Sequence, residues 1–159
     1  MLHRAGLCGV LLCWVVFVLS VSGSKKSAGY EVLYDCLHKH ICDCNFGLEY
    51  QLCFYQLPKP IIDNFEKLAH QKFPEITNIR QSLDPVWNVL CKEPKEVFFP
   101  FFTEAYDDLI AYRKTLSRTV ETRTEEQRLR ELIKATNASL CAMPLVARCL
   151  ETQNEGDCW

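Results

Sequence analysis

Eight cysteines follow an apolar run that reads as an export leader, and this pairing restricts the chain to folds that are stapled outside the cell. The run, Leu7 to Val21, has His3 and Arg4 ahead of it and Val21-Ser22-Gly23 behind it. That is the charged start, apolar middle and small-residue exit of a secretory signal peptide. At about fifteen residues it is short of the roughly twenty that span a bilayer. We expect cleavage after Gly23, where small side chains fit the peptidase subsites. The product, residues 24–159, is expected to be secreted and extracellular, without stable membrane insertion. In that oxidising setting thiols become bridges rather than nucleophiles.

Cleavage would remove Cys8 and Cys13 and leave Cys36, Cys42, Cys44, Cys53, Cys91, Cys141, Cys149 and Cys158. An even set allows four disulfides with no thiol left over, but eight cysteines permit 105 connectivities and spacing does not choose among them. A single cysteine-rich domain of this length can bury a core of its own. Each bridge then adds about 2–4 kcal/mol to a core that already exists.

Only Gly29, Gly47 and Gly156 lie beyond the leader. Hairpin turns need residues tolerant of positive φ, so three glycines are few for a β fold. The seven prolines fall between segments of helical period and read as punctuation. Both features predict an all-α fold: a compact, disulfide-cross-linked bundle of about five to seven helices. Leu33, Leu37 and Ile41 predict a helix over Tyr30–Cys42, followed by helices over Leu48–Leu57 and Ile61–Phe73. Asp84-Pro85 reads as an N-cap with proline at the first helical position, opening Val86–Cys91. A helix from Thr103 to Val120 is expected next, then one opened by the capping box Thr124-Glu125-Glu126-Gln127. A last short helix is expected to start near Pro144 and carry Cys149.

Loss of Arg4 would leave 17 basic against 20 acidic side chains, a net charge of −3. A protein that holds nucleic acid or an anionic surface normally has a basic excess, so no nucleic acid partner is expected. Asn137-Ala138-Ser139 is a glycosylation sequon, which export would expose to modification and make this a glycoprotein.

His38-Lys39-His40-Ile41-Cys42-Asp43-Cys44 is the densest stretch of ligand-type residues. On a helix His38 and Cys42, and His40 and Cys44, lie one turn apart. Bridged cysteines cannot ligate, however, so His38 and His40 would need further donors from elsewhere to hold copper or zinc. We expect solvated histidines beside structural bridges, with no metal and no cofactor.

Ile41-Cys42-Asp43-Cys44-Asn45, with Cys53-Phe54 after it, resembles the helix of secreted phospholipases A2 that supplies two disulfides and a supporting active-site aspartate. That aspartate falls on Asn45 here, and no Cys-Cys-x-x-His-Asp motif or glycine-rich calcium loop precedes it. The resemblance implies at most an inactive remnant. Cys141-x7-Cys149-x8-Cys158 is similar to the last three cysteines of insect odorant-binding proteins, all-α carriers of small apolar ligands. The pair Cys42-Asp43-Cys44 departs from that family's front half.

Val97-Phe98-Phe99-Pro100-Phe101-Phe102 is the most apolar piece beyond the leader. Phe98, Phe99, Phe101 and Phe102 are candidates to line a ligand pocket or to form a partner-binding patch; core packing is their commoner fate. No Gly-x-Ser-x-Gly, His-Glu-x-x-His or phosphate-binding Gly-x-x-x-x-Gly-Lys motif occurs, and the carboxylate pairs Asp107-Asp108 and Glu125-Glu126 fall on polar helix faces. No enzyme is expected. We expect a non-catalytic binding protein of an extracellular fluid, acting on another protein or surface, or a carrier of a small apolar ligand or lipid.

Overall fold

Residues 23–117, 124–152 and 158 are described by the structure, a computed structural model. The expected leader up to residue 22, the expected helix end at Val120, and Trp159 lie outside them. The backbone gathers into two units, residues 1–32 and 33–159. The described part of the first is helical; the second holds all of the packing that follows.

The described residues form six α-helices and one π turn, with no strand, and four disulfides cross-link them. Helix α1 is Gly23–His38, continuing into the π turn Lys39–Asp43. Then come α2 (Gly47–Phe54), α3 (Lys59–Lys72), α4 (Asp84–Lys92), α5 (Lys95–Ser117) and α6 (Glu125–Thr152). This is the expected cross-linked all-α bundle. Helix α3 packs on α5, α2 and α5 pack on α6, and the π turn sits between α2 and α4.

Several boundaries differ from expectation for identifiable reasons. The period of Leu33, Leu37 and Ile41 predicts one uninterrupted helix to Cys42, but the wider π turn intervenes and buries two consecutive residues, His40 and Ile41. Asp84 is the first residue of α4 rather than its cap, Leu83 being the cap position. The start of α4 is held instead by Ser82 Oγ, which accepts the Asp84 N–H at 3.0 Å, and by Gln51 Oε1, which accepts the Leu83 N–H at 2.7 Å.

Two prolines read as punctuation lie inside helices. Pro100 sits within α5, and the helix starts earlier, after Pro94, whose carbonyl accepts the N–H groups of Val97 and Phe98. Pro144 sits within α6, so Cys149 belongs to the same helix as Thr124's box and not to a separate short one. The box itself forms as expected: Gln127 N–H donates to Thr124 Oγ1 at 3.2 Å, and Thr124 N–H donates to Gln127 Oε1 at 3.4 Å.

Helices α3, α4 and α5 and the segment joining α3 to α4 enclose the core. Ile61, Leu68 and Ala69 come from α3, Val86, Val89 and Leu90 from α4, Phe98 and Phe101 from α5. Phe73, Ile76, Ile79 and Leu83 of the connecting segment are all buried. The segment therefore behaves as core, not as a surface loop. Asn78 turns it with φ 59°, the Tyr55 hydroxyl donates to Ile79 O at 2.7 Å, and Arg80 reaches back to Asp63 and Glu66 on α3 at 2.6 and 2.8 Å.

Candidate functional site

All eight predicted cysteines pair. Cys36–Cys149 ties α1 to α6, Cys42–Cys91 ties the π turn to α4, Cys44–Cys158 leaves the turn before α2, and Cys53–Cys141 ties α2 to α6. Their Cα separations, 5.3–5.7 Å, fall at the usual spacing. Helix α2 is thus bracketed: one bridge lies three residues ahead of it and another on its last turn. A two-turn helix is far too short to persist alone in water, so its order comes from these ties and from packing.

The inward face of α2 is fully engaged. Tyr50 and Cys53 are buried, Gln51 holds the start of α4, and Gly47 lies against Trp87, whose Nε1–H donates to Gly47 O at 3.2 Å. The outward face carries Leu48 and Leu52, one turn apart and 62% and 59% exposed. Neighbouring leucines at i and i+4 make one continuous apolar ridge, beside which Glu49 is also exposed. Sequence reasoning passed over this pair. The available signal was that Tyr50, Cys53 and Phe54 already supply one apolar face, leaving the two leucines on another.

The two histidines sit in different surroundings. His40 is 3% exposed and its Nδ1 lies 2.9 Å from the Tyr50 hydroxyl, with the Phe46 ring beside it. It is a core histidine, contrary to the expectation of a solvated one, because the π turn points it inward. Burial, with Lys39 nearby, holds its pKa below the ordinary value. His38 is half-buried beside the Tyr34 ring. Cys42 and Cys44 are spent in bridges, and among the described residues no group of three or more ligand-type side chains could hold a metal ion.

Phe98, Phe99, Phe101 and Phe102 form no exposed patch. Phe98 and Phe101 are each 2% exposed, at i and i+3 on the inner face of α5, in ring contact with Phe73. Phe99 and Phe102 are half-buried and meet Tyr34 edge-on. Phe102 also borders a hollow of about 150 Å³, shared with Leu33, Cys36, Leu37, Tyr50, Tyr106 and Val146. That volume matches a benzene-sized solute and is well below the usual range for drug-sized ligands.

Asn45 adopts φ 61° in the turn between the π segment and α2. The stretch resembling the phospholipase helix is therefore interrupted at the residue where that family's aspartate would fall. Cys141, Cys149 and Cys158, the three cysteines spaced as in odorant-binding proteins, join Cys53, Cys36 and Cys44 respectively. Asn137 lies exposed on α6. Among the described residues no helix is long and apolar enough to cross a membrane. No family model, curated protein or solved structure matches this chain.

Proposed function

We propose that this is a secreted, non-catalytic interaction protein that docks another extracellular protein through the outward face of α2. The observation that carries this reading is the Leu48–Leu52 ridge on a helix bracketed by Cys44–Cys158 and Cys53–Cys141. Two large apolar side chains are left in water while the bundle buries others like them. Bridges at both ends hold the ridge in one geometry, so little ordering entropy is lost when a partner covers it. Four disulfides fit the oxidising compartment that the leader implies.

A carrier role has narrower support. The hollow bordered by Phe102 suits a small arene, and a lipid would need the bundle to open.

The reading is tested by placing a photo-crosslinking residue at Glu49 and incubating the secreted protein with its native extracellular fluid. One protein partner should be captured in a saturable way. Leu48→Glu and Leu52→Glu should each weaken its affinity about tenfold or more, the loss of one buried leucine. Unchanged affinity in the double variant, with the fold intact by circular dichroism, overturns the assignment. An apolar small molecule co-purifying in place of a protein partner moves the reading to the carrier.

A further inference from the structure

Asn137 lies exposed on α6 with a large apolar side chain one turn to either side. Ile133, four residues before it, and Leu140, three after, are 49% and 57% exposed, and Leu129 extends the strip by another turn. Residues at i−4 and i+3 are a helical residue's nearest surface neighbours, about 5–6 Å apart at Cβ. A group joined to Asn137 Nδ2 therefore stands directly over this strip. The other faces of the helix are already used: Ala135 and Ala138 are buried and Cys141 is bridged. Asn137-Ala138-Ser139 is also the chain's acceptor sequon. The asparagine of the chain's acceptor sequon thus stands beside an exposed apolar strip.

We propose that Asn137 carries an N-linked glycan whose first sugar packs on Ile133 and Leu140 and keeps this strip of α6 from contact with other molecules. The N-acetyl methyl and the C–H face of an N-acetylglucosamine are apolar, while its hydroxyls remain in water. Such a residue can cover two aliphatic side chains without burying an unpaired polar group. In the transfer, Nδ2 displaces the diphosphate of a lipid-linked oligosaccharide at its anomeric carbon. The C–O bond to phosphate breaks, an N–C bond forms, the amide proton passes to the transferase's base, and the lipid diphosphate leaves.

The order of events follows from Ser139. In the folded chain its Oγ donates to Ala135 O at 2.9 Å and lies 3.1 Å from Arg113 Nη1 on α5, which donates to it. The sequon hydroxyl is therefore engaged once α6 is docked, and transfer precedes that docking. The proposal rests on export, the part it shares with the function proposed above, and is independent of the α2 ridge.

The test uses the full chain secreted from eukaryotic cells that make high-mannose glycans. Intact mass reads occupancy. One portion is trimmed by an endoglycosidase to a single N-acetylglucosamine, and another is cleared by a peptide N-glycosidase after folding, so that no folding defect enters. The untreated and trimmed forms should bind little of an apolar fluorescent dye and elute as monomers. The cleared form should bind several-fold more dye and self-associate as concentration rises. Ile133→Lys with Leu140→Lys should abolish both effects of clearing. A secreted chain without glycan mass, or a cleared chain unchanged in dye binding and elution, overturns the proposal alone. Failure of the chain to enter the secretory pathway overturns export and both proposals with it.

Discussion

His40 Nδ1 and the Tyr50 hydroxyl meet at 2.9 Å inside the bundle, joining the π turn to α2 across the core. Burial, followed by the Lys39 charge, favours the neutral imidazole and lowers the His40 pKa from 6.5. The unfolded chain therefore takes up its proton at higher pH than the folded one, and stability falls as pH falls. The contribution is intact above pH 6.5, declines through the interval between the unfolded and folded values, and levels off below the folded one. Urea midpoints measured from pH 8 to pH 5 should drop across that interval. In a His40→Gln variant the drop should be smaller, and an equal drop would place the acid sensitivity elsewhere.

The same bond distinguishes two buried tyrosines. Tyr50→Phe leaves the His40 nitrogen without this partner in the core and should cost about 1–3 kcal/mol. Tyr34 is also buried, but its hydroxyl has no hydrogen-bond partner among the described residues. Tyr34→Phe removes a desolvated oxygen and keeps the ring contacts with Phe98, Phe99 and Phe102. It should be neutral, or stabilising by about 1 kcal/mol. Chemical denaturation of the two variants side by side decides the matter, and a marked loss for Tyr34→Phe would mean that its hydroxyl is satisfied.

Phe98 and Phe101 should behave as core and nothing else. Truncation of either to Ala should cost about 3–5 kcal/mol, the range for a large aromatic removed from a packed interior. Phe99→Ala, at a half-buried site, should cost less. None of the three should change the affinity of a partner captured through α2 while the variant remains folded. Thermal unfolding and a binding titration on the same samples read both quantities.

The helical class was legible because scarce glycine and recurrent apolar period act locally, and the Thr124 box was legible because its two bonds lie within four residues. What sequence could not weigh was tertiary demand. Pro100 and Pro144 each forfeit one helical hydrogen bond, a cost of about 3 kcal/mol or more. Continuing α5 through Pro100 carries both Phe98 and Phe101 to one inner face, where their burial outweighs that cost. Ile76, Ile79 and Leu83 are spaced i, i+3 and i+7 as on a helix face, yet they lie on a connecting segment behind Pro74 that Asn78 turns with φ 59°, so their burial was set by tertiary packing and not by a helix. Disulfide partners are farther apart still: Cys44 and Cys158 are separated by 114 residues. The Leu48–Leu52 ridge was hidden because an exposed leucine and a buried one look alike until the opposite face is known to be occupied.

Gly47 shows how tightly α2 is seated and supplies a test of it. A Cβ at this position would stand 2.9 Å from Trp87 Cδ1 and 3.1 Å from its Nε1. The indole also donates to Gly47 O, so it cannot retreat without losing that bond. Gly47→Ala would ordinarily stabilise a helix by removing unfolded-state entropy. Here the clash dominates, and the expected outcome is a loss of about 1–3 kcal/mol, as in an overpacked core. With Trp14→Phe and Trp159→Phe leaving Trp87 as the reporter, its emission should shift to the red as the ring is pushed toward water. Trp87→Leu removes the obstacle, so in that background Gly47→Ala should cost little, giving a coupling of opposite sign to the single loss. Additive losses in the cycle would show that the indole and the glycine do not constrain one another, and that α2 is seated by its bridges and by its Tyr50 and Gln51 contacts without this one.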